Sequence, residues 1–295
     1  MTYTHCTLCP RRCGADRTAG QRGFCNMGDT VKIARAEPHY WEEPVISGEN
    51  GSGTVFFSGC SLGCAFCQNE EISHGGFGRE VTSTQLRRIF EKLVEKGVQN
   101  INLVTPTHFL PSILPALTPK LPVPVVYNCG GYESVETLKR LEGLVDVYLP
   151  DLKYTDNVLA NRLSRAPDYV EVATQAILEM YRQTGAVVLD NGQMRRGVLL
   201  RHLVLPGEID NSLGVLDWVA EQFPHGEVLF SLMSQYVPAG KAVTMPGLDR
   251  PITELEYDAV LSYMMLLGIE TGFTQDFQSA SETFIPQWNA EDLEI

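Results

Sequence analysis

From residue 53 onward the chain alternates short apolar runs with longer segments whose apolar residues recur three and four positions apart. The runs are TVFF at 54–57, INLV at 101–104, VPVVY at 123–127, VDVYL at 145–149, VLLRHLV at 198–204 and EVLFSL at 227–232. Runs so short, apolar on successive positions, are strands buried on both faces. The clearest helical segment is STQLRRIFEKLVEKG, with Ser83 placed to cap it and Gly97 to stop it. Others cover about 134–142, 168–184, 211–222 and 254–267. Strand and helix in alternation give parallel βα units, because a parallel neighbour is reached only through a crossover. Six such units over about 220 residues fit an incomplete α/β barrel, a partial (β/α)6 barrel. An open doubly wound sheet satisfies the same pattern.

Charge narrows the partners. Lys and Arg number 23 against 36 Asp and Glu, a formal net charge of -13. Neutralising a phosphate backbone takes clustered cations, so no nucleic-acid partner is expected. Only Arg11, Arg12, Arg17 and Arg22 form a local basic group. No apolar run approaches the roughly 18 residues of a membrane helix, and the start of the chain lacks the apolar stretch of a secretory signal. A cytoplasmic location with no membrane partner is the expectation.

The eight cysteines fall into two groups and one single residue, Cys129. In a reducing compartment such close spacings read as metal sites rather than disulfides. Cys6, Cys9, Cys13 and Cys25 give C-x2-C-x3-C-x11-C. Four thiolates close a site, which suits structural zinc or an auxiliary iron–sulfur cluster. Residues 1–35 therefore read as a small module ordered by a metal, 36–52 as a linker, 53–270 as the barrel and 271–295 as a tail packing on it. Cys60, Cys64 and Cys67 give C-x3-C-x2-C, beginning three residues past the first apolar run. Three thiolates leave one metal position open, and the end of a barrel strand is where barrel chemistry gathers. A chance triplet, or half of a zinc site, is the plain alternative.

The loop GSGTVFFSGCSLGCAFCQN, with Phe66 just before the last cysteine, resembles the radical S-adenosylmethionine (SAM) superfamily. Across the chain, CTLCPRRCG, LVTPTHF, VYNCGGYE, DVYLPDLKY and RHLVLPG are similar to proteins of the pyruvate formate-lyase activating enzyme type, in a branch with an N-terminal cysteine module. The resemblance implies a [4Fe-4S] cluster on Cys60, Cys64 and Cys67, with SAM on the open iron. Reductive cleavage would release a 5′-deoxyadenosyl radical that abstracts hydrogen, in an activase from a glycine of a glycyl radical enzyme. It also implies an electron donor such as flavodoxin or ferredoxin. Phe66 would lie near the adenine, with the backbone around Gln68 touching it. Asn128–Gly131, Asp151–Lys153 and Leu205–Gly207 match strand-end motifs of that family. One place departs: Thr105–Phe109 stands where the superfamily has a GGE-like turn, and threonine hydroxyls would have to supply the missing acceptors. The rivals are modification of another peptide or a small metabolite, and a non-catalytic iron–sulfur or zinc protein.

Asp151 and Lys153 face the same way on an extended segment, suited to ordering SAM or a cation, to proton handling, or to a plain ion pair. Arg201 and His202 are adjacent in a strand, so one faces the lumen and one the helices. An arginine in the lumen suits a SAM carboxylate, and a satisfied structural arginine or a core histidine suits the pair equally. His108 stands at the mouth, to contact a ligand or cap a helix. Cys129 reads as a packed small hydrophobe before a hydrogen-donor thiol. Ser231–Pro238 borders the mouth, and the aromatic tail, FTQDFQSASETFIPQW, reads as simple packing.

Overall fold

The computed structural model describes residues 2–275 and Trp288. Its first half runs β1 (Val31–His39), α1 (Pro44–Ser47), β2 (Ser52–Phe57), α2 (Glu70–Ser73), β3 (Arg79–Val81), α3 (Ser83–Glu95), β4 (Ile101–Val104), α4 (Leu110–Ala116) and β5 (Val125–Cys129). The chain continues through α5 (Val135–Leu138), β6 (Val147–Pro150), α6 (Asn157–Ser164), α7 (Tyr169–Thr184), β7 (Val188–Asp190) and β8 (Gln193–Leu203). It closes with α8 (Ile209–Gln222), β9 (Leu229–Met233), α9 (Glu254–Leu266) and β10 (Gly272–Thr274).

The six apolar runs are β2, β4, β5, β6, β8 and β9. They lie side by side in chain order, each parallel to the next. β1 adds antiparallel to β2 and carries β3 beyond it, while β10 adds parallel to β9. The sheet thus ends on β3 and β10 without closing, and the fold is a partial (β/α)6 barrel extended at both edges.

Alternation along each strand sorts the side chains. On β5, Val125, Tyr127 and Cys129 join the large core under the helices, whereas Val126 belongs to an inner cluster with Val147, Leu149, Leu199 and Leu229. Short α1 plugs this inner space with Val45 and Ile46. Above the apolar floor, the next inward positions are polar: Asn128 on β5, Arg201 on β8 and Ser231 on β9, with Arg201 and Ser231 paired in register. On the outer face, α3 buries Leu86, Ile89, Phe90 and Leu93 at helical spacing. Its cap is Thr82, not Ser83: Thr82 and Gln85 form a reciprocal capping box.

Residues 31–39, divided in the sequence reading between module and linker, form a sheet strand instead. A register shift between Ile33 and Arg35 breaks its alternation, which is why the pattern did not read as a strand. The preceding cysteine segment has turns and no regular element. It is fastened to the barrel by Arg17, only 2% exposed, whose Nη1 donates to His108 O (2.5 Å) while its Nε is held by Gly28 O of the same segment (2.8 Å). Thr137 Oγ1 adds a bond to Leu8 O (2.7 Å). Most of the tail lies outside the described residues. Trp288 stacks edge-on against Phe56, with ring centroids 5.3 Å apart. Among the described residues no helix is long and apolar enough to cross a membrane.

Candidate functional site

The cysteine loop leaves β2 through Gly59, where φ is +86° and a side chain would collide with Met27 and approach Cys25 O to 2.9 Å. Glycine is thus required by both backbone and packing. The loop is pinned on its other side by α6: Gly63 N–H donates to Ser164 O (3.0 Å) and Ala65 N–H to Leu163 O (2.7 Å). Arg11 reaches from the module to Ser61 O (2.8 Å).

Cys60, Cys64 and Cys67 are free thiols. Each sulfur has a polar neighbour: the Leu62 N–H donates to Cys60 Sγ (3.4 Å), Ser164 Oγ donates to Cys64 Sγ (2.9 Å), and Ser73 Oγ lies 3.4 Å from Cys67 Sγ. Burial, then the neighbouring Cys64 thiol, pushes Cys60 and Cys67 above the usual thiol range, with Lys153 opposing. Thiols that repel one another's ionisation become thiolates when a metal supplies the positive charge. Among the described residues no three His, Cys, Asp or Glu side chains are drawn together as around a single ion. The donor set itself, three soft sulfurs each with a hydrogen-bonding neighbour, fits an iron–sulfur cluster.

A cleft of about 300 Å³ adjoins the loop, lined by Gln68 and Asn69, by Glu42 and Glu43, and by Arg201 and Ser231. Its centre is a charge network. Arg201 donates from Nε to Asp151 Oδ1 (2.9 Å), from Nη1 to Glu42 Oε2 (2.9 Å) and from Nη2 to Asn128 Oδ1 (2.8 Å). Lys153 Nζ donates to Asp151 Oδ2 (2.6 Å), and Asn128 and Asn102 both donate to Glu42 Oε1 (3.0 and 3.2 Å). Burial alone would raise the Asp151 carboxyl, but Lys153 and Arg201 hold it below the usual range. Burial raises Glu43, outweighing the pull of Arg201.

The turn after β5 is built into this network. Gly131, at φ +78°, lies where any Cβ would strike Asp151 O and come within 2.9 Å of the Tyr169 hydroxyl. Tyr169 donates to Gly130 O and Asp151 O (both 2.9 Å) and receives the Lys153 N–H (2.9 Å). The Asn128–Gly131 and Asp151–Lys153 stretches are therefore one packed unit.

Of the residues singled out in the sequence, Asn128, Asp151, Lys153 and Arg201 are brought together, and Gln68 lines the cleft beside them. Of the two expectations for Arg201, the satisfied structural arginine is the one seen: three protein acceptors engage it. His202 faces the helices, bonded to Leu152 O (2.7 Å) and Ser212 Oγ (2.9 Å). Phe66 is 7% exposed and packs 6.1 Å from the Tyr236 ring. His108 is 1% exposed, bonded to Ser58 O (2.6 Å), and burial pushes it down to about 3. It is a neutral packing residue, not a mouth ligand. Thr107 does not offer its hydroxyl to the mouth either: it donates to Glu133 (2.8 Å), whose carboxyl burial lifts to about 7. Cys129 is packed in the core.

In the module, Cys6, Cys9 and Cys25 are buried, Cys13 is exposed, and all are free. Burial pushes Cys9 up to about 12, with neighbouring Cys25 and Cys6 adding to it. Glu42, Glu43 and Tyr169 were missed as site residues. The only signal was an unexplained acidic pair, WEEP, in an apparent linker.

An open parallel barrel that carries three free thiols where its first inner strand ends, beside a polar cleft, fits the class of iron–sulfur enzymes. The signature described as the Radical SAM superfamily matches residues 54–219, more than half of the chain, and the chain belongs to that superfamily. Its members are enzymes that use a [4Fe-4S] cluster and SAM. An uncharacterized protein of Methanocaldococcus jannaschii is 30% identical over 270 residues, covering 88% of this chain and 74% of its own. Streptococcus suis SuiB bound to precursor peptide SuiA overlays with a TM-score of 0.49 at 14% identity, over 76% of this chain and 49% of that one. The chain thus spans about half the length of SuiB. Methylornithine synthase (PylB) overlays with a TM-score of 0.49 at 14% identity, over 80% of this chain and 74% of its own.

Proposed function

We propose that this chain abstracts a hydrogen atom from a protein substrate, in the manner of a glycyl radical activase. The observation that carries the reading is the continuity from Cys67 through Gln68 and Asn69 into the cleft beside Arg201, Asp151 and Lys153. Cys60, Cys64 and Cys67 would hold the cluster, which with SAM supplies a 5′-deoxyadenosyl radical when reduced. The Leu62 N–H and the Ser73 and Ser164 hydroxyls stabilise negative charge on the three sulfurs. Asp151, held ionised by Lys153 and Arg201, keeps a fixed dipole at the mouth, and Asn128 and Glu42 lock the guanidinium in place. Three strand-end stretches support the activase type: Asn128–Gly131, Asp151–Lys153 and Leu205–Gly207. The inward-turned Thr105–Phe109 favours a second reading, modification of another peptide or a small metabolite.

Cys6, Cys9, Cys13 and Cys25 would hold a second metal group, zinc or a cluster. Flavodoxin or ferredoxin would supply electrons in the cytoplasm. Reduced enzyme, SAM and glycyl radical enzymes from the same cell, mixed without oxygen, should give a doublet organic radical on one partner by electron paramagnetic resonance. Absence with every such partner, alongside SAM-dependent change in a small metabolite, would overturn the activase reading.

A further inference from the structure

Among the described residues, two buried side-chain oxygens lining the cleft have no hydrogen-bond partner: Glu43 Oε2 and Asn69 Oδ1. Both are acceptors. Asn69 occupies the capping position of α2, yet its side chain makes no capping bond. A buried acceptor left unmet keeps its full desolvation cost, so a ligand that brings donors is favoured at this place.

The charges point the same way. Glu43 faces Arg201, Glu42 and Ser231, but the Arg201 guanidinium is already bonded to Asp151, Glu42 and Asn128. With all groups ionised, Glu42, Glu43 and Asp151 oppose only Arg201 and Lys153, which leaves one negative charge unbalanced. A carboxylate would be repelled. A neutral hydroxyl would satisfy an acceptor and leave the charge. The sulfonium of SAM has no N–H to donate.

We infer that the cleft holds a subsite for a cationic N–H group of the substrate, an ammonium or guanidinium anchored on Glu43 with Asn69 as a second acceptor. This rests on the reading that the cleft receives substrate, and it narrows the substrate class to one with a basic side chain or amine near the reacting position. Burial lifts Glu43 toward its neutral form, and a cation held on it would favour the carboxylate.

The test uses cluster-reconstituted protein with SAM and no reductant, so that nothing turns over. N-acetyl-lysine amide and N-acetyl-norleucine amide, matched except for the ammonium, are titrated by calorimetry. The lysine amide should bind at least about tenfold more tightly, and Glu43→Gln should abolish that preference while Glu43→Asp keeps part of it. Unchanged melting of Glu43→Gln keeps the comparison free of misfolding. Equal binding of the two amides, or a preference that survives Glu43→Gln, overturns the subsite. A separate SAM titration decides the source of the cation: equal weakening of SAM in Glu43→Gln would assign the contact to the cofactor's amine and overturn the proposal. Because no radical is generated, failure to activate any glycyl radical partner would leave this result standing.

Discussion

Replacing Arg201 by Met removes the one cation shared by two buried carboxylates while keeping most of the side-chain volume. Arg201 is 15% exposed, Asp151 16% and Glu42 9%, so solvent replaces little of what is lost. Breaking a buried pair by deleting one partner costs roughly 3–5 kcal/mol. Asp151 keeps Lys153 at 2.6 Å, and Glu42 keeps only the neutral amides of Asn102 and Asn128. The loss should therefore fall at the low end, about 3 kcal/mol, and arise mainly at Glu42. Adding Glu42→Gln removes the stranded charge and should restore more than half of it.

Urea unfolding of SAM-free protein under anoxia, for the wild type, both single variants and the double variant, measures this cycle. The pH arm has a definite sign. Wild-type Asp151 is held below its ordinary 3.8, so its contribution is complete above that value and fades only as the pH falls through the folded one. A deficit under about 1 kcal/mol, or a double variant that loses the sum of both single losses, would refute the network as described.

Two further outcomes are expected. Replacing Cys60, Cys64 and Cys67 together by Ala should abolish 5′-deoxyadenosine formation under dithionite while the folded variant still carries zinc, or iron with sulfide, in the N-terminal module; metal analysis checks both. Glu133, lifted to about 7 from an ordinary 4.5, destabilises the fold increasingly as pH rises from 4.5 to 7, by about 3 kcal/mol at the upper end, so Glu133→Gln should raise the melting temperature at pH 8 and have little effect at pH 4.

The six inner strands were legible because burial on both faces leaves an unbroken apolar run, and the pattern needs no partner to be seen. β3 and β10 are three residues each, too short to carry a period. Strand parity placed Arg201 and His202 on opposite faces without saying which was which; the structure turns Arg201 inward and His202 toward the helices. Parity did not reach past β4: after Thr105, at φ +58°, Thr107 is buried against Tyr127 and Glu133, and His108 against Ser58 and the module's Arg17. The acidic pair was hidden for a different reason. Glu42 meets Arg201 across 159 positions of sequence, and no local pattern reports a pairing that only the curved sheet creates.

The charge network is also informative by its position. The inner space below it is filled by Val126, Val147, Leu149, Leu199 and Leu229, so apolar packing already closes the barrel there. Continuing that packing upward would cost little, since well-packed apolar replacements of buried ion pairs are often neutral or stabilising. Five charged side chains, Glu42, Glu43, Asp151, Lys153 and Arg201, stand instead on the layer that meets Gln68 and Asn69. Gly131 at close approach to Asp151 O fixes one side of that layer, while Gly59 lets the cysteine loop leave β2 against Met27 and Cys25. The desolvation of these charges is thus concentrated at the level where three thiols and an open cleft adjoin, which supports the proposal that this layer binds ligand rather than merely holding the barrel together.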